Sequence, residues 1–304
     1  KNDYNESLFL GSVAAGGTLG ILIPPSIALV IYGLLTDTSV PELYLAGIVP
    51  GMVLAILFSL LIIFICSYRQ DWGGKSIRST WKDKWESLPD LLPPIFLFLG
   101  VVGSIYGGIA TPTEAAAIGV IIAVGIAAYF KSLSISMLKE AFEATMRTTA
   151  MIMIIIFAAL FLNFVLGILG ITREIVSFIN GVGLSPIFTI YIIVLVYVIM
   201  GMFMETVAML LTTVPIVFPI VLGLGVPEYN GVWFGILVTL LMETALITPP
   251  IGINLYVVQS IRKRGGSFND VALGALPFVL AILAMIIILI HFPETALWLP
   301  QTFY

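Results

Sequence analysis

Residues 18–30 read TLGILIPPSIALV, an uncharged apolar stretch with two prolines near its centre. Proline has no backbone N–H and its ring clashes with the preceding helical turn, so Pro24 and Pro25 predict a break in any helix that contains them. Such a break is costly in an apolar environment, because carbonyls that lose their helical partners cannot turn to water. The stretch therefore raises the question of what these carbonyls bind.

The composition of the 304-residue chain is typical of an integral membrane protein, with 60% hydrophobic residues, 10% charged residues and a mean hydropathy of +1.14. Runs such as 43–67 and 271–290 are long enough to cross the hydrocarbon as helices. The alternating pattern of a membrane β-barrel is absent, so we predict an all-α polytopic membrane protein. The net charge of −4, with no basic patch free of acidic residues, argues against a nucleic-acid partner.

Lysine and arginine are retained on the cytoplasmic side of short loops, so their positions predict the topology. The loops at 69–84 and 131–147 carry many of the basic residues and are placed in the cytoplasm. The first four predicted helices cover 8–35 (broken at the prolines), 43–68, 91–106 and 112–130.

Residues 262–264 are also basic, and they stay cytoplasmic only if 148–183 enters and leaves the membrane on the same side. We therefore predict a re-entrant hairpin over 148–183, with its tip near 159–163. Two amphipathic stretches, 76–87 and 135–147, are expected to lie in the membrane interface.

A second proline pair stands in a similar context, since residues 244–256 read TALITPPIGINLY. The two pairs lie 225 residues apart, and VLAIL at 53–57 recurs at 279–283. The predicted topology gives the two copies opposite orientations in the membrane. Inverted repeats with broken helices at matching positions point to the midplane binding site of a secondary transporter.

The two breaks predict a cation site and an anion site. Freed carbonyls are tolerated where they hold a cation. The helices that restart at Ser26 and Gly252 present positive N-termini, which suit an anionic substrate, and Asn254 is the side chain that we expect to contact it. The alternative is that each proline pair is a packing kink. The candidate cation ligands are the backbone oxygens of Gly20, Ile23 and Thr248.

Three glutamates lie within or beside apolar segments. The sequence Thr-Pro-Thr-Glu at 111–114 predicts a capping box, which explains Glu114 as a helix-start residue. Glu205 lies in the middle of an apolar run, where a carboxylate is costly and functional by default, and its hard oxygens suit a cation. Glu243 precedes the second break and either serves the same site or pairs within the helix bundle.

The sequence contains no phosphate-binding loop, no Cys/His cluster and no Ser/His/Asp set, and its one histidine is His291. We therefore predict that the chain is not an enzyme and does not itself hydrolyse ATP.

Four motifs together resemble a known transporter family over the whole chain. They are GTLGILIPPS at 17–26, ATPTEAAA at 110–117, LITPPIGINL at 246–255 and LWLP at 297–300. The chain resembles the DctM-like large membrane subunits of tripartite ATP-independent periplasmic (TRAP) transporters. The resemblance implies sodium-coupled uptake of carboxylates, such as C4-dicarboxylates or sialic acid, across the bacterial inner membrane. It also implies a small membrane subunit, a periplasmic substrate-binding protein and an elevator motion.

The resemblance also implies which residues bind sodium and substrate. One sodium site is implied at Gly20, Ile23 and Pro25, and Asn163 at the hairpin tip is implied to close the substrate site. A second sodium site is implied at Glu205, Thr206, Ala245, Thr248 and Pro250. The implied division places transport elements in 1–40 and 148–262, scaffold and arm helices in 41–147, and a scaffold helix in 263–304.

The sequence departs from the family at two points. Family members have a further N-terminal portion, so we expect this chain to be the C-terminal part of a larger subunit. Glu205 stands where an aspartate is usual. Two other hypotheses remain: a single-component sodium/carboxylate symporter of similar architecture, and a membrane scaffold or channel in which the breaks are packing kinks.

Overall fold

The computed structural model describes residues 4–74, 80–82, 85, 88–262 and 265–303, and in this part of the chain all regular structure is helical. The α-helices with described bounds are α1 (Glu6–Gly16), α2 (Leu19–Leu22), α3 (Ile27–Thr36), α4 (Val40–Tyr68), α5 (Leu92–Tyr106), α6 (Pro112–Tyr129), α7 (Ile135–Leu169), α8 (Ile171–Val182), α9 (Pro186–Gly201), α10 (Thr206–Gly223), α11 (Gly231–Leu246), α12 (Ile253–Ile261), α13 (Phe268–His291) and α14 (Glu294–Phe303). Lys75, Arg78, Lys84, Lys263, Arg264 and most of the predicted interfacial helix 76–87 lie outside the described residues.

Among the described helices, α4, α6, α7, α10 and α13 are long and apolar enough to cross a membrane. The segments α1–α2 and α3 together form a bent pair with an angle of 41° at the first proline pair. These helices match the predicted class, an all-α multi-pass membrane protein. Helix breaks at both Pro-Pro pairs, predicted from the loss of backbone N–H groups, are confirmed.

The chain divides into two compact units, Lys1–Ser76 with Ala159–Tyr304, and Ile77–Ala158. In the first unit α11 is the core helix, and every residue from Val232 to Leu246 is buried. Gly235 admits the ring of Tyr32, because a β-carbon there would lie 2.7 Å from a ring carbon. On another side of α11, the Trp233 indole N–H donates to the Leu289 carbonyl at 3.0 Å.

Helix α1 crosses α13 at a pair of glycines. A β-carbon on Gly274 would lie 1.9 Å from the Ser7 carbonyl oxygen, and one on Gly11 would lie 2.0 Å from the Gly274 backbone. The Ser7 hydroxyl also donates to the Asp270 carbonyl. The two backbones can therefore approach this closely only because neither glycine has a side chain.

An ion-pair cluster joins the same helices beyond the end of α12. Arg262 pairs with Glu6 at 2.7 Å and with Asp270 at 3.0 Å, and only 6% of its side chain is exposed. The hydrogen bonds to Glu6 and Asp270 raise the pKa of the guanidinium above its ordinary value. The cluster thus ties the start of α1 to the connection between α12 and α13.

In the second unit, α5 packs against α6. The predicted capping box at the start of α6 is confirmed, since the Thr111 N–H donates to Glu114 Oε2 at 2.8 Å and the Glu114 N–H donates to Thr111 Oγ1 at 3.4 Å. Glu114 is therefore a helix-start residue.

The predicted position of the hairpin tip is wrong. Helix α7 runs without a break through 159–163, and the turn lies at Gly170, whose φ of +69° favours glycine. No glycine or proline interrupts residues 148–166, so nothing local ends the helix there. The predicted interfacial helix 135–147 is the first part of α7 and not a separate element.

Candidate ion and substrate site

At the first break, the proline pair leaves two carbonyls without helical donors. Gly20 and Ile21 lie four residues before Pro24–Pro25, which have no N–H to offer them. The Ser26 hydroxyl replaces one of these bonds by donating to the Ile21 carbonyl, and it accepts from the Leu29 N–H at 3.3 Å. The Gly20 carbonyl is thus the one left free of its helical donor, as a backbone cation ligand requires.

Helix α4 packs tightly against this break. A β-carbon on Gly47 would lie 2.5 Å from the Leu22 carbonyl oxygen, and one on Gly51 would lie 2.5 Å from Cγ1 of Ile23. Two glycines one turn apart therefore let α4 support the backbone on which Ile23 and Pro25 lie.

The second break has the same local chemistry. Pro249–Pro250 remove the helical donors of Ala245 and Leu246, and the Thr248 N–H reaches the Ala245 carbonyl only at 3.4 Å. The Thr248 hydroxyl donates to the Thr244 carbonyl at 2.6 Å, which leaves its oxygen lone pairs available to a ligand. Both Pro-Pro peptide bonds are cis.

Glu205 begins a helix inside the apolar run in which the sequence places it. Helix α9 ends at Gly201 and α10 begins at Thr206. The Glu205 carboxylate accepts from the N–H groups of Val207 and Ala208 at 3.0 and 2.8 Å, and from the Thr206 hydroxyl at 3.1 Å. The carboxylate thus offsets the positive helix start, and its role as a cation ligand stays a prediction.

The loop that carries Glu205 lies beside the second break. The Ile251 N–H donates to the Met202 carbonyl at 3.2 Å, and a β-carbon on Gly201 would lie 2.7 Å from Cβ of Ala245. The structure therefore brings together the elements that carry the second predicted sodium site, Glu205, Thr206, Ala245, Thr248 and Pro250.

The helix starts at the breaks differ in how they are capped. Ser26 caps α3 and Glu205 caps α10, whereas Gly252, with φ +36°, gives α12 no side-chain cap. The Leu255 N–H donates to the Gly252 carbonyl at 2.8 Å, so the N–H groups of Ile253 and Asn254 are the ones at this helix start that could meet an anion.

The predicted substrate residues differ in their local surroundings. Asn254, on α12, donates through Nδ2 to the Ala14 carbonyl at 3.1 Å and so connects the second break to α1. Ser26 is 1% exposed and engaged with backbone, whereas Asn163 is exposed in mid-helix on α7 and not at a turn. The binding roles of all three stay predictions.

A cavity of about 330 Å³ adjoins the second break. Thr248 and Pro249 line one side, and Asn269 with apolar residues of α13 lines the other. The cavity gives a small solute room next to the broken helix.

Sequence reasoning missed several contacts that shape this site. The Met202 and Ala14 carbonyls carry no sequence signal, because backbone atoms are common to all residues. In the sequence Arg262 indicates only topology, although Asp270, eight residues later, is a usable signal for an ion pair. Glu243 was noted, but its complete burial is a property of the packed bundle.

Comparison with known proteins agrees with this architecture. Residues 1–295 match the family described as "Tripartite ATP-independent periplasmic transporter, DctM component". The chain is 32% identical to the C4-dicarboxylate TRAP transporter large permease protein DctM of Pseudomonas aeruginosa, with 99% of this chain and 69% of that protein covered. It is 30% identical to the ectoine/5-hydroxyectoine permease UehC of Ruegeria pomeroyi (98% and 68% covered), and 28% identical to the sialic acid permease SiaM of Vibrio cholerae (99% and 69% covered). The chain belongs to the DctM family of TRAP transporter large permeases.

Proposed function

We propose that this chain is the sodium-coupled large permease of a TRAP transporter that takes up carboxylates. The observation that carries the proposal is the pair of matching helix breaks. At each one, a proline pair removes the donors of two carbonyls inside an apolar helix, and an oxygen-lined break of this kind suits a hard monovalent cation.

Sodium fits the donor set that the breaks present. The ligands proposed for the first site are backbone oxygens of Gly20, Ile23 and Pro25. The ligands proposed for the second site are Glu205, Thr206, Ala245, Thr248 and Pro250. These donors are carbonyl, hydroxyl and carboxylate oxygens, the types that hard cations prefer, and they include no sulfur or imidazole ligand.

The uncapped start of α12 supports an anionic substrate. Gly252 leaves the first N–H groups of α12 without a side-chain partner, and Asn254 stands in the first turn of that helix. We propose that this start binds the substrate carboxylate, with Ser26 and Asn163 contributing from the other elements. The relatives are named for C4-dicarboxylates, ectoines or sialic acid. These compounds share a carboxylate group, so the substrate proposed here is a carboxylate.

The proposed setting is the bacterial inner membrane, with a small membrane subunit and a periplasmic substrate-binding protein as partners. Sodium entry drives substrate entry as the broken helices move against a scaffold, which is an elevator motion. The inverted repeats predicted from the sequence support this proposal, because each repeat then contributes one broken helix to a site between them.

The test is uptake into proteoliposomes that contain the whole permease with its small subunit. We expect accumulation of labelled substrate only when an inward sodium gradient and the binding protein are both present. Accumulation with sodium but without binding protein would favour the single-component symporter. Equal uptake in choline and sodium media would refute sodium coupling.

A further inference from the structure

Glu243 is an anomaly in the core of the first unit. Its side chain is 0% exposed on α11, and neither carboxylate oxygen has a hydrogen-bond partner among the described residues. Buried carboxylates in proteins are normally paired or hydrogen-bonded, because they otherwise lose their hydration without compensation. The group that satisfies Glu243 is therefore to be sought outside the described residues.

The helices packed around α11 supply no counter-charge for it. Within the bounds of α2, α3, α4, α9, α10, α12, α13 and α14, the only basic residue is His291, the last residue of α13. His291 is exposed and lies 2.9 Å from the Tyr191 hydroxyl. Arg262, just beyond α12, is held by Glu6 and Asp270. None of these described helices therefore offers Glu243 a positive charge, and a cation is the partner that a buried carboxylate takes.

A hydroxyl stands on the same face of α11. Thr239 precedes Glu243 by four residues, so the two side chains are neighbours along the helix. Thr239 is 1% exposed, and its hydroxyl donates to the Gly235 carbonyl at 2.7 Å, which leaves its lone pairs for a ligand. A carboxylate and a hydroxyl are oxygen donors of the kind that a hard cation takes.

This face is separate from the second break. Glu243 and Ala245 lie two residues apart, which places them about 200° apart around the helix. Ala245 faces Gly201 of α9, as the close approach of their β-carbon positions shows. Glu243 thus points to another side of α11 than the predicted sodium site does.

We propose that Glu243 and Thr239 form a further cation site inside the bundle, distinct from the site at the second break. Its place rests on burial and on the missing counter-charge. The choice of sodium as its ion rests on the proposed function.

The experiment measures binding of ²²Na⁺ to the purified whole permease complex, with the number bound and the affinity obtained from a titration at constant ionic strength in choline chloride. We expect E243Q to bind one sodium ion fewer than the wild type, and T239V to bind one ion with affinity lowered by about tenfold or more, the factor that 1.4 kcal/mol produces. The control is T189V, a buried threonine on α9 whose hydroxyl donates to the Ser185 carbonyl; its binding should equal that of the wild type.

The outcomes separate the two proposals. Wild-type protein that binds no sodium refutes the proposed function. Wild-type protein that binds sodium, with the same count and affinity in E243Q and T239V, overturns the Glu243 site alone and identifies Glu243 as a neutral acid. If E243Q fails to fold, T239V decides the question by itself, since unchanged affinity in that variant contradicts the site.

Discussion

Replacing Gly47 by alanine should damage the first break more than the same change at Gly51, the other glycine of α4. The new β-carbon would lie 2.5 Å from the Leu22 carbonyl oxygen, whereas real β-carbons essentially never come within 3.0 Å of a neighbour. The obstacle is backbone, which must move by about 0.5 Å, and overpacking of this kind costs about 1–3 kcal/mol. The shift displaces the backbone around Ile23, where a sodium ligand is proposed.

Two further variants show how the loss of stability depends on what the added carbon meets. In Gly51→Ala the added carbon meets Cγ1 of the Ile23 side chain, which can rotate away, so a smaller loss is expected. In Gly103→Ala, on α5, no atom lies within 4 Å of the added carbon, so no steric cost is expected.

The assays are thermal unfolding of the purified complex and the sodium concentration that gives half-maximal uptake. We expect the melting temperature to fall in the order Gly103→Ala, Gly51→Ala, Gly47→Ala, with weaker sodium activation in Gly47→Ala. A Gly47→Ala protein as stable and as sodium-responsive as Gly103→Ala would refute the reasoning.

Three other substitutions test single contacts of the site. Arg262→Gln should lower the melting temperature, because Glu6 and Asp270 lose their common cation. The control is Arg173→Gln, at an exposed arginine. Equal melting temperatures of the two variants would argue against the cluster. Glu205→Gln should destabilise the start of α10 by about 1 kcal/mol and weaken the activation of uptake by sodium. Glu205→Asp should keep the cap and the activation. Sodium titrations of uptake in both variants test this difference. Asn254→Asp should impair transport as severely as Asn254→Ala, because neither can donate to the Ala14 carbonyl; activity retained in Asn254→Asp would place the role of Asn254 in its carbonyl oxygen.

The parts of the fold that follow from local chemistry could be predicted from the sequence. Pro24–Pro25 and Pro249–Pro250 break their helices wherever they occur, since the missing N–H groups do not depend on context. The capping box at 111–114 is equally local, because two residues, Thr111 and Glu114, each satisfy the other's backbone N–H. Composition and run length were sufficient for the multi-pass membrane class.

The parts that depend on packing could not be predicted. Gly201 is the one local signal for a break before Glu205, and it is weak alone, since glutamate is not among the preferred N-cap residues and the loop is held by the Met202 contact with Ile251. The turn at Gly170 does not follow from the sequence argument, because the distribution of basic residues places the two ends of the hairpin on one side of the membrane but does not locate its tip. The isolation of Glu243 results from the helices that enclose α11, which no single segment reveals.

The central claim is that the two proline breaks couple sodium to substrate, and the most direct measurement is ²²Na⁺ entry counted alongside substrate entry in the same proteoliposomes. The account predicts a fixed ratio of sodium to substrate in the wild type. It also predicts that replacing both prolines of either pair by alanine abolishes the two fluxes together, because restored N–H groups can occupy the carbonyls. Substrate uptake at the wild-type rate without ²²Na⁺ entry, or proline variants that keep the wild-type ratio and rate, would contradict it.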